Sequence, residues 1–328
     1  MTKKNIAVLA GGNSSEFFIS LKSAESIANE IDKEKFNVYT VQIKGSEWTL
    51  INNLNCGLII HKNDFSFTVR GQKEKFELIV SAIHGTPGED GLLQAYFDMI
   101  GMPYIGSGVL ASSLTFSKFY CNTFLNNFNI VNIAKSALIR KGTTTNEDEI
   151  IEELGLPCFV KPNAGGSSFG ITKVKKKEDL QKAIEEAFKE SNEVIIEEFI
   201  KGDEIQCGIF KTKENEFKLP LVEIIPKNEF FDYQAKYDPN FSEEIIPARI
   251  SDELTEKCQN ITSELYDALN CKGIVRMDYI LKDNEFWFLE ANTIPGMTEE
   301  SLVPQMIRKA GMTIKEVMTL LIDDVLEN

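Results

Sequence analysis

Arg276, Asp278, Glu290 and Asn292 are the residues whose types and spacing point most directly to chemistry. They interrupt two apolar runs, Ile274 to Ile280 and Phe286 to Met297, joined by a polar turn, a pattern that reads as a β-hairpin. Alternate side chains of a strand share a face, so Arg276 lies beside Asp278 and Glu290 beside Asn292. Carboxylate and amide oxygens are the hard donors that Mg²⁺ takes while phosphate and water complete its octahedron. Burying such groups with neither metal nor counter-charge costs on the order of several kcal/mol. An ordinary surface hairpin with an Arg–Asp ion pair accounts for the same residue types. All four positions are even-numbered, so the two pairs face each other only across a loop of odd length or through a bulge that restores register.

Other stretches add candidates. Val160 to Gly170 places Lys161 at a strand end before a Gly/Ser-rich loop, where backbone N–H groups and the lysine suit phosphate oxygens. It is not a Walker A sequence, and a plain turn explains it equally well. Gly11-Gly12-Asn13-Ser14-Ser15-Glu16 follows the first strand, yet lacks the GxGxxG spacing, and the second strand ends without the acidic residue a dinucleotide ribose needs. Glu16 therefore suits a ligand cation, or is a solvated first-turn carboxylate. His84 stands where a strand enters Gly85-Thr86-Pro87-Gly88-Glu89-Asp90-Gly91, at the carboxyl edge where ligands of open α/β sheets bind; a structural histidine is the alternative. His61 has no such context and reads as surface. Glu197 to Glu204 reads as a connecting segment able to offer polar groups to an adenine and a ribose, or as a solvated linker. Lys227 to Glu243, with aromatics among charges, reads as a long functional loop and a candidate lid.

The elements that must position these residues follow from periodicity. Ile6–Ala10 predicts a strand, Ser20–Ile31 a helix, Asn37–Ile43 and Glu77–Ile83 strands, Leu92–Ile100 a helix and Tyr104–Ile105 a short strand. That alternation is a doubly wound, Rossmann-like α/β unit. A second unit has a helix to Leu154, strands Cys158–Lys161 and Ile171–Val174, a helix Asp179–Lys189 and a strand Glu193–Ile196, an α+β lobe. The third holds longer strands, a helix Asp252–Leu269, the hairpin and a final helix Thr313–Leu326. The boundaries expected are 1–112, 113–203 and 204–328, consistent with 328 residues exceeding one compact domain.

A formal charge of −15 opposes attraction to nucleic acid or anionic membrane, so any anionic substrate must be held by local cations. The apolar run before Gly11-Gly12 is too short for a signal peptide and no run reaches transmembrane length, which predicts a cytoplasmic protein. The six cysteines form no CxxC pair or zinc spacing and read as buried reduced thiols.

Taken in order, these segments resemble the D-alanine:D-alanine ligases, an ATP-grasp family, over nearly the whole chain. The resemblance rests on Gly11 to Glu16 with Ile19-Ser20-Leu21, on His84-Gly85 with Gly88 to Gly91, and on Lys161-Pro162 with Gly166-Ser167-Ser168. It continues through Tyr233 to Tyr237, Arg276-Met277-Asp278, and Glu290 to Thr298 with Ser301 to Pro304. It implies a two-lobed α+β ATP-grasp fold after the first domain, and ATP-dependent joining of two D-alanines through an acyl phosphate for peptidoglycan synthesis. Lys118 and Lys161 would hold ATP phosphates, and Glu197, Phe199, Ile200, Glu204, Phe230 and Leu289 would line the nucleotide pocket. Asp278, Glu290 and Asn292 would bind two Mg²⁺ ions, with Mn²⁺ as a substitute. Glu16 would hold the first ammonium, linked through Ser167 to Tyr237, with His84 near that substrate's carboxylate. Arg276 and the N–H of Gly296 would form the oxyanion site, and Lys236, Ser301 and Leu302 would meet the second D-alanine or the transferring phosphate. The resemblance also implies a homodimer.

Phe17-Phe18 stand where the family usually has Arg-Glu, and Ala164-Gly165 where it is often polar. By family analogy Tyr237, rather than Phe, favours an amine as second substrate, which leaves a D-alanine:D-lactate ligase, or one for another D-amino acid, as the nearer alternative. A non-catalytic nucleotide-binding regulator and a nicotinamide oxidoreductase are the readings from other classes.

Overall fold

The computed structural model describes residues 3–51, 56–166, 169–226 and 242–327. The first part runs β1 (Lys4–Gly11), α1 (Phe17–Glu30), β2 (Phe36–Lys44), β3 (Glu47–Leu50), β4 (Ser66–Val69), β5 (Gln72–Lys75), β6 (Leu78–Ser81), α2 (Leu92–Ile100) and β7 (Tyr104–Ile105). Its main sheet has the order β3-β2-β1-β6-β7, with β2, β1, β6 and β7 parallel. Ile6, Val8 and Ala10 point into one core, Ala7 and Leu9 into another, so β1 is buried on both faces as a central parallel strand must be. α1 begins three residues earlier than periodicity predicts, which sets Glu16 at the helix entrance.

Next come α3 (Val109–Phe116), α4 (Lys118–Leu125) and β8 (Asn132–Ile133), and then β9 (Ser136–Arg140), α5 (Glu147–Leu154), β10 (Cys158–Pro162), β11 (Thr172–Val174), α6 (Leu180–Ala187) and β12 (Glu193–Glu198). Strands β11-β10-β12-β9 make an antiparallel sheet packed on α5 and α6. The last part holds β13 (Asp203–Lys211), β14 (Glu216–Lys218), β15 (Val222–Pro226), β16 (Ser242–Ile245), α7 (Asp252–Ala268), β17 (Gly273–Lys282), β18 (Glu285–Asn292), α8 (Leu302–Lys309) and α9 (Ile314–Leu326). Their sheet runs β16-β15-β13-β17-β18-β8, with β14 on β13, so β8 leaves its neighbours in sequence to pair with β18.

Two packing choices position the site. Odd-numbered Val275, Met277, Tyr279 and Leu281 of β17 enter a core with Cys258 and Leu265 of α7, which turns even-numbered Arg276 and Asp278 to the opposite face. Val303, Met306 and Ile307 of α8 share a core with Ile6, Val8 and Val80, so the chain's end is packed onto its first sheet. Thr313 closes a capping box with Glu316 at the start of α9. Five cysteines are buried and Cys56 is exposed; all six thiols are free, and burial pushes those of Cys121 and Cys271 up to about 12. His61 is exposed, its Nε2 3.0 Å from Thr68 Oγ1. No helix among the described residues is long and apolar enough to cross a membrane.

Candidate active site

The hairpin turn Asp283-Asn284 has positive φ at both residues, +53° and +63°, the backbone of a tight two-residue hairpin. An even loop sets even-numbered residues against odd ones: Lys282 faces Glu285 and Tyr279 faces Phe288. The register then shifts at Leu289, after which Asp278 faces Glu290 and Arg276 faces Asn292. The bulge thereby gathers the four polar residues on one face. Arg276 donates to both carboxylate oxygens of Asp278, Nε to Oδ1 at 2.8 Å and Nη2 to Oδ2 at 2.9 Å. Asn292 Nδ2 donates to the same Oδ2 at 3.3 Å. Burial opposes the charge on Arg276, but Asp278, Glu290 and Glu204 outweigh it and raise its pKa, so the guanidinium stays charged.

Lysines from two other elements reach this face. Lys118, the first residue of α4, lies 3.4 Å from Glu290 Oε2 and donates to the Gly165 carbonyl at 2.9 Å. Lys161, at the end of β10, donates to Glu197 Oε2 at 2.6 Å, while Asn122 Nδ2 donates to Glu197 Oε1 at 3.0 Å. Burial works against the Lys161 charge and Glu197 more than restores it, so its pKa is raised. Beside them Phe199 packs on Phe159, ring centroids 5.9 Å apart, under Lys173 at 3.9 Å; Ile200, Glu204 and Leu289 are half-buried. Glu204 Oε1 accepts from Gln206 Nε2 at 2.9 Å.

Glu16 at the entrance of α1 and His84 after β6, with the segments that meet them, supply the other wall. Glu16 is buried, and a Cβ at Gly166 would come within 2.7 Å of its Oε2, so the glycine loop after β10 closes directly over the carboxylate. His84 is buried with Nδ1 3.0 Å from the Ile294 carbonyl and Nε2 3.2 Å from Ser23 Oγ. A carbonyl only accepts, which fixes the proton on Nδ1 and makes Nε2 the acceptor. Burial lowers the pKa of His84 against the pull of Glu16, and the ring stays neutral. It ties α1 to the segment after β18. At Gly296 a Cβ would meet Ser301 Oγ at 2.9 Å. That hydroxyl turns to Thr298, 2.7 Å from its Oγ1, and does not cap α8, whose first residue Leu302 is buried. A cleft lies between these walls, lined by Glu89, Lys118, Gly165, Gly166, Glu290 and Asn292 among others. Ser167, Phe230, Lys236 and Tyr237, and most of the candidate lid, lie outside the described residues.

Residues 5–107 match the family model for the D-ala D-ala ligase N-terminus, and residues 124–323 that for the D-ala D-ala ligase C-terminus. The chain belongs to the D-ala D-ala ligase family. A relative from Phocaeicola vulgatus named D-alanine--D-alanine ligase is 50% identical over 327 residues, 99% of each chain. Among solved structures, the VanG D-Ala:D-Ser ligase from Enterococcus faecalis is 32% identical with a TM-score of 0.84, covering 98% of this chain and 99% of that one. The D-alanine--D-alanine ligase from Bacillus anthracis complexed with ATP is 30% identical with a TM-score of 0.80, covering 100% and 98%.

Within this D-ala D-ala ligase fold some site residues were not singled out by sequence. Glu89 lines the cleft and accepts from the Gly85 N–H at 2.7 Å. Burial, then Glu16 and Glu290, push its carboxyl up to about 8 against the Gly85 N–H and Lys118. Its place beside His84 in a Gly-rich turn was the available signal. Asn122, one helical turn after Lys118, had none.

Proposed function

We propose that this ligase joins two D-alanine molecules into D-alanyl-D-alanine, converting ATP to ADP and phosphate. The observation that carries the reading is the bulged face itself: Arg276, Asp278, Glu290 and Asn292 together, with Lys118 on Glu290 and Lys161 close by. The name of the Phocaeicola relative and the ATP complex of the Bacillus neighbour support it.

A carboxylate is a poor electrophile. Transfer of the ATP γ-phosphoryl group to it breaks the bond to ADP and gives an acyl phosphate. The amine of the second D-alanine then attacks the carbonyl carbon, and the tetrahedral oxyanion collapses with loss of phosphate. Lys118 and Lys161 bind the ATP phosphates, and Glu197, Phe199, Ile200, Glu204, Phe230 and Leu289 line the base and ribose pocket. Glu16 binds the first ammonium, with His84 near that substrate's carboxylate; Ser167 and Tyr237 complete the link from Glu16. Arg276 and the Gly296 N–H face the oxyanion, where one well-placed donor supplies on the order of a hundredfold or more in rate. Lys236, Ser301 and Leu302 hold the second substrate, the Ser301 side chain leaving the first turn of α8 uncapped for a carboxylate.

Asp278, Glu290 and Asn292 offer two carboxylates and an amide oxygen from facing strands, a donor set that fits Mg²⁺ with phosphate and water completing the shell. They would hold two Mg²⁺ ions, or Mn²⁺, which when bound neutralise phosphoryl charge. The reading extends to a cytoplasmic homodimer whose product enters peptidoglycan.

The test is phosphate release from ATP with D-alanine, L-alanine or D-alanine plus D-lactate, with products identified by mass. D-Alanyl-D-alanine is the expected product. A depsipeptide as the main product, or ATP binding with no release under any of these, would overturn the reading.

A further inference from the structure

Lys118 and Lys161 lie on different elements, 43 residues apart in sequence, and something must fix one against the other. Asn163 stands two residues beyond Lys161 and is 1% exposed. Each of its polar groups is engaged. Its N–H donates to the Glu193 carbonyl at 2.9 Å, which extends the pairing of β10 with β12. Its carbonyl accepts from the Lys118 N–H at 2.9 Å, and its Oδ1 from the Phe119 N–H at 2.8 Å. Its Nδ2 donates to Ser117 Oγ and to Glu193 Oε2, both at 2.9 Å.

The first N–H groups of a helix have no partner within it and are ordinarily met by the side chain of the residue just before. Here that residue, Ser117, makes no capping bond to α4. The cap comes from another element: Asn163 takes the N–H groups of both Lys118 and Phe119 and holds Ser117 by its hydroxyl. Glu193 orients the amide and is itself held by Arg140 Nε at 3.0 Å. The amide cannot be reversed, because Oδ1 meets a donor and Nδ2 a carboxylate.

We propose that Asn163 is a positioning residue for the ligase reaction, a cap in trans that sets Lys118 on α4 against Lys161 on β10 so that both meet the same nucleotide phosphates. The inference rests on the phosphate-binding reading of the two lysines. With all its own polar groups engaged by protein, Asn163 acts through Lys118. Losing the amide frees the Phe119 N–H and the Ser117 hydroxyl while the Lys118 N–H keeps the Asn163 carbonyl, so the first turn of α4 loosens and Lys118 approaches the Gly165 carbonyl and Glu290 less firmly, while Lys161 keeps Glu197.

The test is ATP affinity of the full chain by calorimetry in the presence of Mg²⁺, alongside the KM values for ATP and D-alanine and the thermal midpoint. Asn163→Ala is expected to weaken ATP binding about tenfold, with the KM for D-alanine within twofold of the parent. Asn163→Asp keeps Oδ1 but turns a carboxylate oxygen toward Glu193, and is expected to lose as much. Adding Glu193→Gln to it restores a donor–acceptor pair in reverse and should recover most of the affinity. That recovery is one a merely destabilising lesion would not show, and it decides the matter even if Asn163→Ala fails to fold. Parent-like ATP affinity in Asn163→Asp, or no recovery in the double variant, overturns the proposal. Lys118→Ala and Lys161→Ala serve as references. If they bind ATP as tightly as the parent, the phosphate reading falls and the clamp's purpose with it; if they bind weakly and Asn163→Asp does not, the clamp alone is wrong.

Discussion

Asp278 and Glu290 face each other across the β17–β18 hairpin because Leu289 bulges out of register, so a two-residue turn that would oppose even to odd positions instead opposes even to even. The same shift brings Asn292 across from Arg276. One extra residue in one strand thus decides whether the polar groups share a face.

Removing the carboxylate of Asp278 leaves Arg276 buried without its bidentate partner. Asp278→Ala is expected to lower stability by about 3–5 kcal/mol, the usual cost of breaking a buried pair from one side. Arg276→Met with Asp278→Leu should recover much of that stability with no recovery of turnover. Urea unfolding and phosphate release measure the two separately, and equal stability of the single and double variants would contradict the argument.

Gly166→Ala places a Cβ 2.7 Å from Glu16 Oε2, the far end of a side chain that is able to move. The fold should tolerate the change while Glu16 shifts. The KM for the first D-alanine is expected to rise roughly tenfold, equivalent to about 1.4 kcal/mol, with a thermal midpoint near that of the parent. An unchanged KM would separate Glu16 from substrate binding.

Glu89 gives the metal-free protein a pH dependence whose sign is fixed. Its folded pKa, about 8, lies above the ordinary 4.5, so between these values the folded state holds a proton that the unfolded state has released. Its contribution to stability is complete below pH 4.5 and is lost as pH rises through about 8. Glu89→Gln removes this dependence, so its thermal midpoint should fall less than the parent's between pH 6 and pH 9. Parallel curves would show that the Glu89 proton is not linked to folding.

Ile307 is fully buried in the core that α8 shares with β1 and β6. Ile307→Ala should cost about 2–5 kcal/mol, the range for large-to-small changes in cores. Because that core joins the chain's two ends, exchange protection should fall in β1 as well as in α8. Loss confined to α8 would mean that the two ends unfold independently.

By itself the sequence determined much of this. Apolar runs and their breaks marked β1 and the hairpin, and placed α2 at Leu92–Ile100, since strand and helix periods are local properties of the chain. The even numbering of Arg276, Asp278, Glu290 and Asn292 already required either an odd loop or a bulge. Motif order then pointed to the ligase family and to most of the candidate residues. Tertiary structure decided the rest. It chose the bulge, brought Lys118 against Glu290, and joined His84 to the carbonyl of Ile294, 210 residues away. It also made Asn163 the cap of a helix to which it does not belong, and raised the pKa of Glu89 by burying it and then crowding it with Glu16 and Glu290. Those outcomes depend on which distant backbones pair and which charges then share a poorly solvated cleft, and no local period of the chain encodes either.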